Sequence, residues 1–115
     1  MTIATHYKRN VQPLPREPRL AFMNAEGDNL DIMAAMFNLK RKRAGTGRGT
    51  IFETDLSFRI RILLHLRHHA NSENFIPITM FELWGVMFDL DPADVGAMGA
   101  IQWSELFERC LDQVK

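Results

Sequence analysis

Apolar residues recur at helical spacing in four stretches of this chain, and the residues between them carry signals that start and stop helices. In the first, Leu30, Met33, Ala34 and Phe37 fall on one face with Ile32, Met36 and Leu39 beside it. This predicts an amphipathic helix capped by Asp28 or Asn29. It is expected to end in Lys40, Arg41, Lys42 and Arg43, whose charges suit the negative end of a helix dipole, with Gly45 as the stop. The second stretch opens at Thr54 or Asp55 and carries Leu56, Ile60, Ile62, Leu63, Leu64 and Leu66 to about Ala70, an apolar face broad enough for a central helix. A polar turn at 71–74 follows, then a short extended piece over 75–78. Thr79, with Glu82 three residues on, forms a capping box at the start of the third helix. Asp91, Pro92 and Asp94 open the fourth, which the pattern carries unbroken to about Gln113.

Within the last two helices the small and apolar positions have a specific order. Trp84 and Phe88 point inward, Gly85 lies where a second helix crosses closely, Leu90 fills the turn, and Val95 and Met98 point inward again. Over these twenty or so residues the chain resembles the helix-turn-helix class. The preceding helix and extended piece are similar to the start of a winged helix, but the residues after Cys110 are too few for a wing. The resemblance implies a second helix that enters the major groove of DNA. The outward positions it would offer, Asp91, Pro92, Ala93, Gly96, Ala97 and Ala100, contain none of the Arg, Asn or Gln side chains that bond bidentately to bases.

Residues 1–24 include Pro13, Pro15 and Pro18, which disfavour helix and predict an extended arm with Val11, Leu14, Leu20 and Phe22 as its apolar contacts. The expected architecture is therefore all-α: an arm over 1–24 and one helical domain of about four helices over 25–115. Among 115 residues, 46% are hydrophobic and 24% charged, enough for a packed core. No apolar run is long enough to span a membrane and no signal-peptide block opens the chain, which predicts a cytoplasmic protein without a membrane partner. Cys110 is the only cysteine, which rules out an internal disulfide.

The net charge is zero, yet its distribution is polar: residues 40–48 carry five positive charges and no negative one, while 82–112 carry seven acids against Arg109 alone. Lys40, Arg41, Lys42, Arg43, Arg48 and Arg61 are the candidate phosphate contacts. The loop over 44–50 contains three glycines but lacks the G-x-x-x-x-G-K-S/T order of a phosphate-binding loop. His65 and His69 stand four apart, without the glutamate of an H-E-x-x-H motif or an evident third ligand, so no metal is expected. No activated nucleophile, paired carboxylates or cofactor fingerprint is present, which predicts neither an enzyme nor a cofactor. Glycines at 96 and 99 call for a nearby backbone, and Gly96, Ala97, Ala100, Trp103 and Phe107 are the candidate protein interface, compatible with a homodimer.

Two functions fit this pattern. One is a small helix-turn-helix-type regulator that binds nucleic acid mainly through its basic segment. The other is a non-enzymatic adaptor or inhibitor that uses the same scaffold to contact protein. They differ in whether residues 40–48 and Arg61 form one free positive surface.

Overall fold

A computed structural model describes residues 21–45, 49, 51–72 and 76–114. Most of the arm expected over 1–24 thus lies outside the described residues, as does Arg48. The domain is all-α apart from one small hairpin. In chain order it contains α1 (Ala21–Asn24), α2 (Asp28–Ala35), β1 (Arg43–Ala44), β2 (Ile51–Phe52), α3 (Asp55–Ala70), α4 (Ile78–Met87), α5 (Pro92–Ala97) and α6 (Ala100–Val114).

The long helices α3 and α6 form the principal packed pair. Thr54 caps α3 as expected, its hydroxyl accepting from the Ser57 amide at 3.1 Å. Along α3, Phe58, Ile62, Leu63 and Leu66 are buried, and α6 buries Trp103, Leu106, Phe107, Cys110 and Leu111 against them. An aromatic cluster closes this core. Trp84 and Phe88 meet Trp103 and Phe107, with ring centroids 5.4 Å apart for Trp84 and Trp103 and 5.2 Å for Trp84 and Phe107. The indole N–H groups of Trp84 and Trp103 lie inside the cluster without a hydrogen-bond partner among the described residues. Burial pushes the Cys110 thiol up to about 12, so it behaves as a small apolar side chain.

α2 ends earlier than the apolar pattern suggests, and α4, which turns where expected, ends by the same device. Asn38 and Asp89 adopt left-handed backbone conformations, with φ of 60° and 52°. After Asn38, the Leu39 amide donates back to Ala34 O at 3.0 Å; after Asp89, the Leu90 amide donates to Gly85 O at 2.9 Å. These are the long return bonds of a Schellman ending, with Leu39 and Leu90 as its apolar plugs. The basic residues 40–43 are consequently not the last turn of α2, as expected, but a segment that turns back into β1. β1 pairs antiparallel with β2 in the register Arg43 to Phe52 and Ala44 to Ile51. Gly45, at φ 102°, supplies the left-handed residue this hairpin requires.

Three starts and one continuation also differ. Gly27, at φ 51°, stands at the N-cap of α2 in place of Asp28 or Asn29. α4 begins at Ile78 after Pro77, so Thr79 sits inside the helix and does not cap it. Asp91 is the N-cap of α5 with Pro92 at its start, but its carboxylate makes no capping bond. The helix expected to run on to Gln113 breaks at Met98, whose extended backbone turns its side chain into the core. α6 starts afresh, its first turn closed by the Gln102 side chain accepting from the Gly99 amide at 2.9 Å.

Close approach of two helices occurs at one of the expected glycines. A Cβ on Gly85 would stand 2.5 Å from Val95 Cγ2, so α4 and α5 can cross only because that position has no side chain. Gly96 has nothing within 4 Å of such a Cβ. Its low helix propensity, with that of Gly99, instead favours the break at Met98.

Candidate functional site

Two of the basic residues, Arg41 and Arg61, form a buttress. The Arg41 guanidinium reaches three parts of the chain. Its Nε donates to Asp31 at 2.6 Å, Nη1 to the Glu53 carbonyl at 2.9 Å, and Nη2 lies 2.5 Å from the Asp55 carboxylate. Asp55 also accepts from the Gly27 amide at 3.1 Å, and that bond with the Arg41 pair holds its carboxyl below the usual range. Arg61 donates to both oxygens of Glu53, at 2.8 Å from Nη2 and 3.1 Å from Nε, and to the Lys40 carbonyl at 2.5 Å. Arg41 and Arg61 both lie about 5 Å from the centre of the buried Phe58 ring, at 5.0 and 5.1 Å. Their charges are thus neutralised and partly covered by the hairpin that they attach to α3.

Of the candidate phosphate contacts, Lys40, Lys42 and Arg43 are exposed and none forms a side-chain ion pair among the described residues. Arg41, with 13% of its side chain exposed, and Arg61 are engaged as above. Lys42 and Arg43 do line one shallow surface with Arg61, but Glu53 sits among them. A continuous positive face is therefore missing among the described residues.

Glu53 carries a testable consequence. The Arg61 bond first, then the Lys42 amide and the Ser57 hydroxyl, hold its carboxyl at about 2 against the opposing effect of burial. A carboxylate lowered on folding contributes stability above its unfolded value near 4.5 and loses it as pH falls towards 2. Wild-type stability, measured by urea denaturation, is expected to fall across that window, and Glu53→Gln should flatten the fall while lowering stability at pH 7.

The expected protein interface is divided. Trp103 and Phe107 are completely buried in the aromatic core, so the expectation that they face a partner is corrected: they hold the domain together. Gly96 is exposed, and Ala97 and Ala100 are half-buried. Gly96 borders a largely apolar concave surface, a groove of about 690 Å³ between α4 and α5. Its walls include Ile78, Phe81, Val86, Leu90, Val95 and Met98. Ile78 and Val86, both on its wall, are 69% and 72% exposed. Glu82 lines the same groove, whereas Asp91 and Asp94, at the start of α5, are not among its lining residues. None of these three acids has an ion-pair partner among the described residues.

Ile78 and Val86 were missed by the sequence reading, although a signal existed. From 78 to 87, α4 carries apolar residues all round and only one charge, Glu82. A helix of that kind is buried on every side or leaves one side for something else.

The histidines lie elsewhere. His65 and His69 border a cleft of about 160 Å³ with Met36, Met80 and Trp84, and His69 packs edge-on against Trp84 at 6.0 Å. Burial, then His69, His68 and Arg61, lowers the His65 pKa, so it stays neutral at physiological pH. Among the described residues, no three His, Cys, Asp or Glu come together as a metal would need, and no helix is long and apolar enough to cross a membrane.

No family model, curated protein or solved structure matches this chain.

Proposed function

We propose that this domain is a non-enzymatic protein-contact module whose α4–α5 pair, similar to a helix-turn-helix, takes an apolar, basic-flanked segment into its groove. The observation that carries this reading is the coincidence of 690 Å³ of apolar groove, two large side chains left exposed on it, and Glu82 on its lining without an ion-pair partner among the described residues. Apolar burial would supply the affinity, and Glu82 would select a segment with Lys or Arg beside its apolar residues. The acidic, small-residue α5 suits close approach of such a chain and opposes approach of a phosphate backbone.

Binding of nucleic acid is the second reading, favoured by exposed Lys40, Lys42 and Arg43. It has a smaller footprint than the sequence implies, because Arg41 and Arg61 already satisfy carboxylates.

The two readings separate with two probes: a fluorescent 14-residue amphipathic Leu/Lys peptide, and a random 20-base-pair duplex. The peptide is expected to bind the full chain and to lose at least tenfold in affinity with Val86→Asp, although that change adds a negative charge. Salt-dependent duplex binding that disappears in Lys40→Ala/Lys42→Ala/Arg43→Ala, with no peptide binding, would reverse the assignment.

A further inference from the structure

The cleft beside Trp84 gathers two imidazoles and two thioethers from three separate elements. His65 and His69 stand one turn apart on α3, where side chains four residues apart lie over one another. Met80 comes from the first turn of α4, and Met36 is the residue that closes α2. All four line the same cleft of about 160 Å³, with buried Leu66 and Trp84 behind them. The left-handed turn at Asn38 ends α2 at the rim of this cleft, which Asn38 itself borders. His65 and Met36 are exposed and His69 and Met80 half-buried, so the donors are reachable from solvent.

The volume is below the roughly 300 Å³ at which sites for organic ligands usually begin, and it suits a single ion. The cleft's lining contains no Cys, Asp or Glu, and no trio of His, Cys, Asp or Glu occurs among the described residues. The requirement that fails here is that of divalent ions. Such an ion would meet no anionic ligand in largely apolar surroundings, and the cost of desolvating an ion rises with the square of its charge. A monovalent soft ion costs less to desolvate and finds the donors it favours, because thioether sulfur and imidazole nitrogen are both ligands of copper(I).

We propose that His65, His69, Met36 and Met80 form a copper(I) site, with the imidazoles approaching the ion from α3 and the thioether sulfurs from the end of α2 and from α4. The histidine pair is visible in the sequence without its completion, because the two methionines are distant along the chain. The site shares no lining residue with the α4–α5 groove, so the two proposals stand or fall separately. An ion held there joins α2, α3 and α4, and it should therefore raise stability.

The test adds silver(I), which has the charge and ligand preference of copper(I) without its redox chemistry, to the full chain and to Cys110→Ala, which lacks the chain's one thiol. In both, the methyl resonances of Met36 and Met80 and the ring nitrogens of His65 and His69 should shift together and saturate at a single ion per chain, while the buried Met87 and Met98 methyls stay in place. Copper(I), buffered by a chelator without oxygen, should reproduce the pattern. Met36→Leu/Met80→Leu, which nearly conserves volume, should weaken copper(I) binding by about tenfold or more, at least what loss of an outer-shell partner costs. If either variant is poorly folded, the wild-type methyl shifts decide. Unmoved Met36 and Met80 methyls, with silver(I) binding lost in Cys110→Ala, overturn the inference in favour of the thiol. Ring-nitrogen shifts without methyl shifts, reproduced by zinc(II), overturn it in favour of a surface histidine pair. Unchanged copper(I) affinity in a folded double variant also overturns it.

Discussion

Trp103→Ala is expected to lower stability by about 3 to 5 kcal/mol, the usual cost of removing a large aromatic side chain from a packed core. The indole touches most of the aromatic cluster: Trp84, Phe81, Phe88 and Phe107 have ring centroids 5.4, 6.4, 6.3 and 5.8 Å away. Because Trp84 and Phe88 belong to α4 and its cap, while Phe107 belongs to α6, the cavity would loosen the joint between these helices. Most domains of this size have only about 5 to 15 kcal/mol in total, so a substantial unfolded population is expected at 37 °C. Urea denaturation followed by far-ultraviolet circular dichroism measures this directly. If Trp103 instead formed a partner surface, the variant would keep its stability and lose only association.

Arg41→Ala has the second largest expected effect, about 2 kcal/mol, although a charge count would place Arg41 among interchangeable surface cations. Its guanidinium joins Asp31 on α2, the Glu53 carbonyl before α3 and Asp55 at the start of α3, and it lies 5.0 Å from the Phe58 ring centre. Removal leaves those acceptors without their donor and uncovers the ring. Arg41→Lys should recover only part of the loss, since an ammonium cannot span three acceptors as a planar fork does. Lys40→Ala and Lys42→Ala should change stability by less than about 0.5 kcal/mol. Equal, negligible effects at positions 40, 41 and 42 would show that the buttress contributes nothing.

The contrast between Arg41 and its neighbours also marks what the sequence could and could not tell. Periodicity identified α3, α4 and the inward positions of Trp84, Phe88 and Met98, because burial of one helix face leaves a direct trace in residue spacing. The role of Gly85 was legible for the same reason: a small residue among large ones marks a close crossing, here with Val95. Helix ends were less legible. Asn38 and Asp89 stop their helices through left-handed backbone, a conformation both residues tolerate but do not announce. The break at Met98 depends on a tertiary gain, the burial of its side chain, that local preference cannot reveal.

The site was read from charge sign, and charge sign says nothing about partners distant in sequence. Arg61 finds Glu53 eight residues away, and Arg41 finds Asp31 and Asp55 from ten and fourteen. Both guanidinium groups are therefore already paired, which their sequence positions do not reveal. The groove escaped because Ile78 and Val86 look like core residues, and only the packed structure shows that α4 has a side with nothing from the described residues over it.

The most direct measurement of the groove's role is a heteronuclear correlation spectrum of the full chain, recorded with isotope-labelled amides and methyls while the Leu/Lys peptide or the random duplex is added at 150 mM salt. The account predicts that peptide shifts the methyls of Ile78, Val86, Leu90 and Val95, and that duplex leaves the amides of Lys40, Lys42 and Arg43 in place. Shifts confined to those three amides on addition of duplex, with the groove methyls unmoved by peptide, would contradict it.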